Sequence, residues 1–288
     1  MNLPAPPPSP PEPAELSERA PLVANLRVLS LLWYIPFAGA LFVVLVGLFV
    51  PSPQASLVFR IEVACVEFLG FVGTMLAARA FERGDYLRSA WTFQAICFAF
   101  IFFSDLTRFP LIGQLEETGT LRSVLSIIGN AAAVFGSWRF GRAWGEAAFP
   151  DAERTRRRAY IAATVIALVL AGGPLVSDLR ALLAWGDREA LTNLASEIGD
   201  MGSMCLLAPV LPTALALRGG KLAWPWSLLA ASLVAWLAFD CAVAFAGGAN
   251  VDDNILGRTL VEVFRAFGSL FTLSAGLAQR HVIRLTRG

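Results

Sequence analysis

Residues 27–50 read RVLSLLWYIPFAGALFVVLVGLFV, and after Arg27 the stretch carries no charged side chain. A helix of about 20 such residues crosses the roughly 30 Å of bilayer hydrocarbon, where the backbone must satisfy its own hydrogen bonds. This stretch reads as a membrane span. Seven more of similar character follow, near residues 56–78, 87–106, 122–144, 158–179, 191–217, 224–246 and 257–279. Pro51-Ser52-Pro53 closes the first span, and Arg83-Gly84-Asp85 separates the second from the third. Arg218-Gly219-Gly220-Lys221 separates the sixth from the seventh; such clusters punctuate helices. Gly172-Gly173-Pro174 interrupts the fifth, so Leu175–Trp185 reads either as its continuation or as an interfacial helix. The expected fold is all-α, a polytopic membrane helix bundle with about eight transmembrane helices, or seven if a shorter segment fails to insert.

Composition agrees. Of 288 residues, 56% are hydrophobic and 16% charged, against about 25% charged in a soluble domain. A formal net charge of +1 lacks the basic surplus of a nucleic-acid binder. Lys221 is the one lysine and lies outside the apolar runs, which excludes a pigment with an intramembrane Schiff-base lysine. His281 is the one histidine and the four cysteines are scattered, which excludes bis-histidine haem and a His-rich zinc site. No P-loop, H-E-x-x-H, G-x-S-x-G or dinucleotide fingerprint occurs, so no cofactor and no catalytic set is expected.

The arginines orient the bundle. With the N-terminus in the cytoplasm, sixteen basic residues fall on the cytoplasmic side against five on the other: Arg108, Arg122, Arg180, Arg188 and Arg258. The positive-inside rule then places both termini in the cytoplasm of a bacterial inner membrane, which requires an even number of spans. Residues 1–26 read as a disordered Pro-rich cytoplasmic tail, without the basic start of a signal peptide. Residues 27–144 read as one four-span unit, 145–157 as a charged cytoplasmic loop, 158–280 as a second four-span unit and 281–288 as a basic tail.

Two units are expected because Ser89–Asp105 (SAWTFQAICFAFIFFSD) aligns without a gap on Trp224–Asp240 (WPWSLLAASLVAWLAFD) at an offset of 135. Trp91 meets Trp226, Ala95 meets Ala230 and Asp105 meets Asp240; further on, Gly141 meets Gly276. Over residues 89–145 there are nine identities in 57 positions, where this composition yields roughly five by chance. Units with an even number of spans are parallel, related by an axis along the membrane normal.

Ionisable groups at membrane depth are costly and mark functional sites. Seven carboxylates (Glu62, Glu67, Asp105, Glu197, Asp200, Asp240 and Glu262) share the spans with Arg60 and Arg265. In the assigned orientation they gather in the outer half, together with Asn130. Glu197 and Asp200 are three residues apart, as are Glu262 and Arg265, so each pair lies on one helix face. The expected site is one outward, water-accessible ligand or ion pocket containing Glu67, Asp105, Glu197, Asp200, Asp240, Glu262 and Arg265, with Trp236 beside it. The excess of negative charge must be met by protons, a cation or water. The blander alternative is that the pairs set helix register and that Asp105 faces water at a span end. Trp91, Trp185, Trp224 and Trp226 are expected in interfacial belts. Cys65, Cys97, Cys205 and Cys241 read as packing residues. Gly70, Gly73, Gly129, Gly136 and Gly141 would allow close helix approach.

Residues 197–280 resemble the multi-pass input domains of bacterial histidine kinases and diguanylate cyclases. The resemblance rests on Asp200 early in a span, on Leu237-Ala238-Phe239-Asp240 ending one, and on the basic exit Ala278-Gln279-Arg280-His281. It implies a sensory or regulatory bundle whose output lies in a separate cytoplasmic signalling protein. A small proton- or cation-coupled transporter is the alternative, and an intramembrane lipid enzyme the third reading. The expected partners are the lipid bilayer, a small-molecule or cationic ligand and that signalling protein, with no nucleic acid.

Overall fold

Proline, glycine and capping side chains set the helix ends. The computed structural model describes residues 27–109, 120–145, 152–186, 188–208, 210, 223–246 and 254–287, and every regular element among them is helical. The long helices are α1 (Tyr34–Phe49), α2 (Ser52–Ala80), α3 (Tyr86–Leu106), α4 (Thr120–Gly145), α5 (Ala152–Trp185), α6 (Arg188–Leu207), α7 (Ala223–Phe245) and α8 (Ile255–Arg287). Val50 turns extended ahead of Pro51 and stops α1, as a residue before proline favours. Gly84 adopts φ +93°, a conformation open to glycine. Asp85 then caps α3 by accepting a hydrogen bond from the Leu87 N–H at 2.8 Å. Asn254 does the same for α8, accepting from the Gly257 N–H at 3.1 Å; both satisfy donors that a helix start leaves open.

Six of these helices are long and apolar enough to cross a membrane: α1 (with Arg27–Trp33 leading into it), α2, α3, α5, α7 and α8. The other two, α4 and α6, have 26 and 20 residues, so they fall short in apolar content and not in length. Several boundaries differ from the sequence reading. Helix α5 runs unbroken through Gly172-Gly173-Pro174 to Trp185, so Leu175–Trp185 is its continuation. It begins at Ala152, which puts Glu153, Arg154 and Arg156–Arg158 in helical turns; within the expected 145–157 loop, residues 146–151 lie outside the described set. Helix α6 ends at Leu207, short of the expected 217, and residues 211–217 also lie outside that set, as does the tail 1–26.

Packing closes six helices into a ring. Helix α2 packs on α3, α3 on α4, α4 on α6, α6 on α7, α7 on α8, and α8 returns to α2. Helix α1 lies outside the ring against α8 and α2, and α5 lies outside it against α6 and α7. The two tightest crossings need glycine. A Cβ at Gly276 on α8 would overlap the Gly73 carbonyl on α2, and a Cβ at Gly141 on α4 would overlap the Leu206 carbonyl on α6. Close approach through small residues is how membrane helices gain contact where lipid supplies no hydrophobic drive.

The largest apolar core, built around Trp91, Phe140, Trp226, Ala77, Ala278 and Leu207, occupies one end of the ring. Trp91 and Trp226 are 0% and 1% exposed, which corrects their expected place in interfacial belts. Their ring centroids lie 6.3 Å apart, and each packs edge-on against Phe140, at 5.1 and 5.3 Å. Pointing inward removes both large aromatic surfaces from solvent. Trp185 is exposed and Trp224 half-buried.

Candidate functional site

The other end of the ring, where α3 ends and α4, α6 and α8 begin, holds a cavity of about 770 Å³. Glu67, Asp105, Glu197, Asp200, Trp236, Asp240, Glu262 and Arg265 all line it. They come from α2, α3, α6, α7 and α8, and each carboxylate and Arg265 is at most 9% exposed. The physical cause is exclusion: a charge turned toward lipid costs about 2.5–3.5 kcal/mol on insertion scales, so each helix rolls its ionisable face inward.

The wall formed by α2, α3 and α8 holds both signs of charge. Asp105 accepts from Arg265 Nη1 at 2.9 Å and from Arg108 Nε at 2.9 Å. Arg265 Nε also lies 3.5 Å from Glu262 Oε2, and the guanidinium stands 4.7 Å over the Phe239 ring. Arg258 Nε is 4.0 Å from Glu262, while its Nη1 donates to Ser56 Oγ at 2.9 Å. The register-setting pairs of the blander alternative are therefore present, while Asp105, which that alternative left facing water, is buried and ion-paired. Glu67 is fully buried and within hydrogen-bonding reach of Asp105. No nitrogen or hydroxyl donor reaches either Glu67 oxygen, so the contact with Asp105 is a hydrogen bond only when the two carboxyl groups share a proton.

The wall formed by α6 and α7 differs in kind. Asp200 and Asp240 lie within hydrogen-bonding reach of each other. Asp240 Oδ1 accepts from Ser196 Oγ at 3.4 Å, but Oδ2 is buried without a donor. Glu197 is 3% exposed, faces Asp178 on α5, and its Oε2 also meets no donor. Among the described residues no guanidinium pairs with Asp200, Asp240 or Glu197. Asn130 on α4 sits against Gly199, its amide donating to the Ser126 carbonyl at 3.0 Å.

The floor is hydrogen-bonded and then apolar. Gln94 Nε2 donates to the Ala133 carbonyl at 3.3 Å, and Ser232 Oγ donates to the Gly268 carbonyl at 2.7 Å. Ser232 and Thr272 are 2.7 Å apart through their hydroxyls. Gln94 precedes Asp105 by eleven residues, about 16 Å of helix, and the Trp91–Phe140–Trp226 cluster lies beyond it. Trp236 packs between Phe98 and Phe239, at 6.3 and 5.6 Å, with Gly268 beneath it. All four cysteines are free thiols, and among the described residues no group of three or more His, Cys, Asp or Glu is placed to hold a metal ion.

The charged lining residues that the sequence reading did not assign to the pocket are Arg60, Arg108, Arg122, Asp178 and Arg258. Arg108 and Arg258 were assigned to the outer side by depth alone. Their spacings to Asp105 (i, i+3) and Glu262 (i, i+4) were the signal that they fold back as partners. Asp178 lies beyond Pro174, where the helix was left open. In comparisons with known proteins, the chain matches no family model, no curated protein and no solved structure.

Proposed function

We propose that the chain is a sensory or regulatory membrane bundle of eight spanning helices, whose cavity binds a small polar or cationic ligand and whose occupancy is read by a separate cytoplasmic signalling protein. The observation that carries this reading is an asymmetry: the charged cavity lining lies toward one end of the ring, and the buried Trp91–Phe140–Trp226 cluster fills the other. A receptor needs one mouth; a carrier must in turn open to the other face, which would require the aromatic cluster to separate. The arginine bias supports an outward-facing cavity and cytoplasmic termini.

Counting eight spans rests on α4 and α6. Both take their place in the ring between helices that are apolar enough to span. Their polar residues, such as Ser126, Asn130, Glu197 and Asp200, face the cavity. Their exposed faces, with Val124, Ile128 and Phe135 on α4 and Leu191 and Ile198 on α6, are apolar. Low mean hydropathy is thus the mark of a cavity wall. The tandem-repeat reading gains support from the order of packing. A half-turn about the ring exchanges α2 with α6, α3 with α7 and α4 with α8. The glycine crossings Gly276–Gly73 and Gly141–Leu206 then correspond, as do the pairs Glu67–Asp105 and Asp200–Asp240. Under the same offset of 135, Arg265 corresponds to Asn130, which is why one wall holds a cation and its counterpart does not.

A small proton- or cation-coupled transporter is the second reading, favoured by the Asp200–Asp240 pair without a guanidinium and opposed by the aromatic block. The two separate in one experiment. Purified protein is screened for thermal stabilisation by small polar and cationic compounds, with Val243→Trp filling the cavity as the control. A radiolabelled hit is then offered to proteoliposomes under an imposed proton gradient. Saturable binding without accumulation is expected. Accumulation above equilibrium replaces the receptor with the transporter, and hits indifferent to Val243→Trp remove the cavity from the function.

A further inference from the structure

Resting on the reading of the cavity as a ligand site, we propose that its α6–α7 wall receives a primary ammonium group, so that the ligand is an amine carrying an apolar body. The buried acceptors already on this wall point to the ligand. Asp240, 7% exposed, and Glu197, 3% exposed, both line the cavity, and each has one buried carboxyl oxygen without a donor. Asp200 lies against Asp240. An R–NH₃⁺ group brings three N–H donors and one positive charge. It would serve Asp240 Oδ2 and the adjoining Asp200, with Glu197 about one turn of α6 away, and supply the cation that this wall lacks. Water would satisfy the acceptors but leave the charge, a proton shared by Asp200 and Asp240 would join that pair but bring no donor to Glu197 Oε2, and three-carboxylate enclosure of a metal ion is not formed among the described residues.

The opposite wall directs the amine to this one. There Arg265 and Arg108 already sit on Asp105, at 2.9 Å each, so an incoming cation would have to displace a built ion pair. The apolar body of the ligand is expected because Phe98, Leu233, Trp236 and Val243 complete the lining between the two walls. A cavity of about 770 Å³ is in the range that encloses a small organic molecule. Primary ammonium chemistry has two sources, a free amine and the headgroup of an aminolipid.

The probe is 2-phenylethylamine, titrated calorimetrically into the purified full chain in detergent. Binding is expected, with a loss of about tenfold or more for 2-phenylethanol, which has no charge, and for the trimethylammonium analogue, which has no N–H donors; charge-assisted hydrogen bonds are of that size. Asp240→Asn and Glu197→Gln should each weaken the amine by a similar factor and leave the alcohol unchanged. Glu153→Gln, on the exposed start of α5, should change neither. Size-exclusion profiles show whether each variant is folded, and either carboxylate variant suffices if the other is not. Repeating the titration in nanodiscs assigns the source. Competition by phosphatidylethanolamine but not phosphatidylcholine indicates the lipid headgroup; equal binding in both indicates a free amine. Both outcomes agree with the ammonium site. It is overturned if 2-phenylethylamine does not bind at millimolar concentration, if amine and alcohol bind alike, or if both carboxylate variants bind as the parent does. Should Val243→Trp still abolish binding in those last two cases, the cavity remains a ligand site and only the ammonium assignment fails.

Discussion

Replacing Arg265 with glutamine takes from the α8 wall the guanidinium that meets Asp105 and Glu262 at once. At an effective dielectric constant of about 20, Coulomb's law assigns roughly 6 kcal/mol to the 2.9 Å contact and roughly 5 kcal/mol to the 3.5 Å contact. Desolvation of the buried ions opposes much of this, so the observable quantity is the cost of leaving charges unpaired, about 3–5 kcal/mol for a buried pair. Arg265 and Asp105 have side-chain exposures of 6% and 11%, so the buried range applies. The lower end is expected, because Arg108 remains 2.9 Å from Asp105 and Arg258 remains 4.0 Å from Glu262. Unfolding of the purified protein by sodium dodecyl sulfate in mixed micelles, followed by circular dichroism, should show a loss of about 3 kcal/mol for Arg265→Gln. Adding Asp105→Asn should recover about 1–3 kcal/mol of it, the coupling typical of groups in contact. A loss under about 1 kcal/mol, the value of a solvent-screened pair, would refute the buried-network reasoning. So would a double variant whose cost is the sum of the two single ones.

Gly276→Ala and Gly141→Ala should each cost about 1–3 kcal/mol by overpacking, because the new methyl meets a backbone carbonyl of the neighbouring helix. Gly172→Ala, with nothing within 4 Å, should be neutral or stabilising by up to about 1 kcal/mol; equal losses at all three sites would remove the special standing of the crossings. Spin labels on Ile128→Cys and Ile198→Cys should be relaxed by lipid-dissolved oxygen and not by a water-soluble nickel complex. The reverse pattern would take α4 and α6 out of the membrane. A reporter active only in the periplasm and fused after Gly288 should be silent; activity there would invert the bundle and turn the cavity mouth toward the cytoplasm.

Much of the fold is legible along the chain because a bilayer imposes a one-dimensional rule. Arg27–Val50 must be helical in lipid whatever its neighbours are, and the same argument locates α2, α3, α5, α7 and α8. Depth is legible in part: the positions of Glu67, Asp105, Asp200, Asp240, Glu262 and Arg265 within their stretches run from the middle of the spans toward the same end. Azimuth is not, since hydropathy records how far along a helix a residue lies and not which neighbour it faces. That Trp91 and Trp226 point inward, that Arg258 folds back on Glu262, and that Gly172-Gly173-Pro174 leaves α5 whole all depend on packing. The same holds for the difference between the two walls. In the sequence, Asp105 and Asp240 are matched positions of the two aligned segments and differ only in how near each lies to the end of its span. Only the closed ring brings Arg265 and Arg108 to Asp105 and leaves Asp240 with Asp200 and a serine hydroxyl, because electrostatic partnership is decided by ångströms across helices that lie 160 residues apart in the chain.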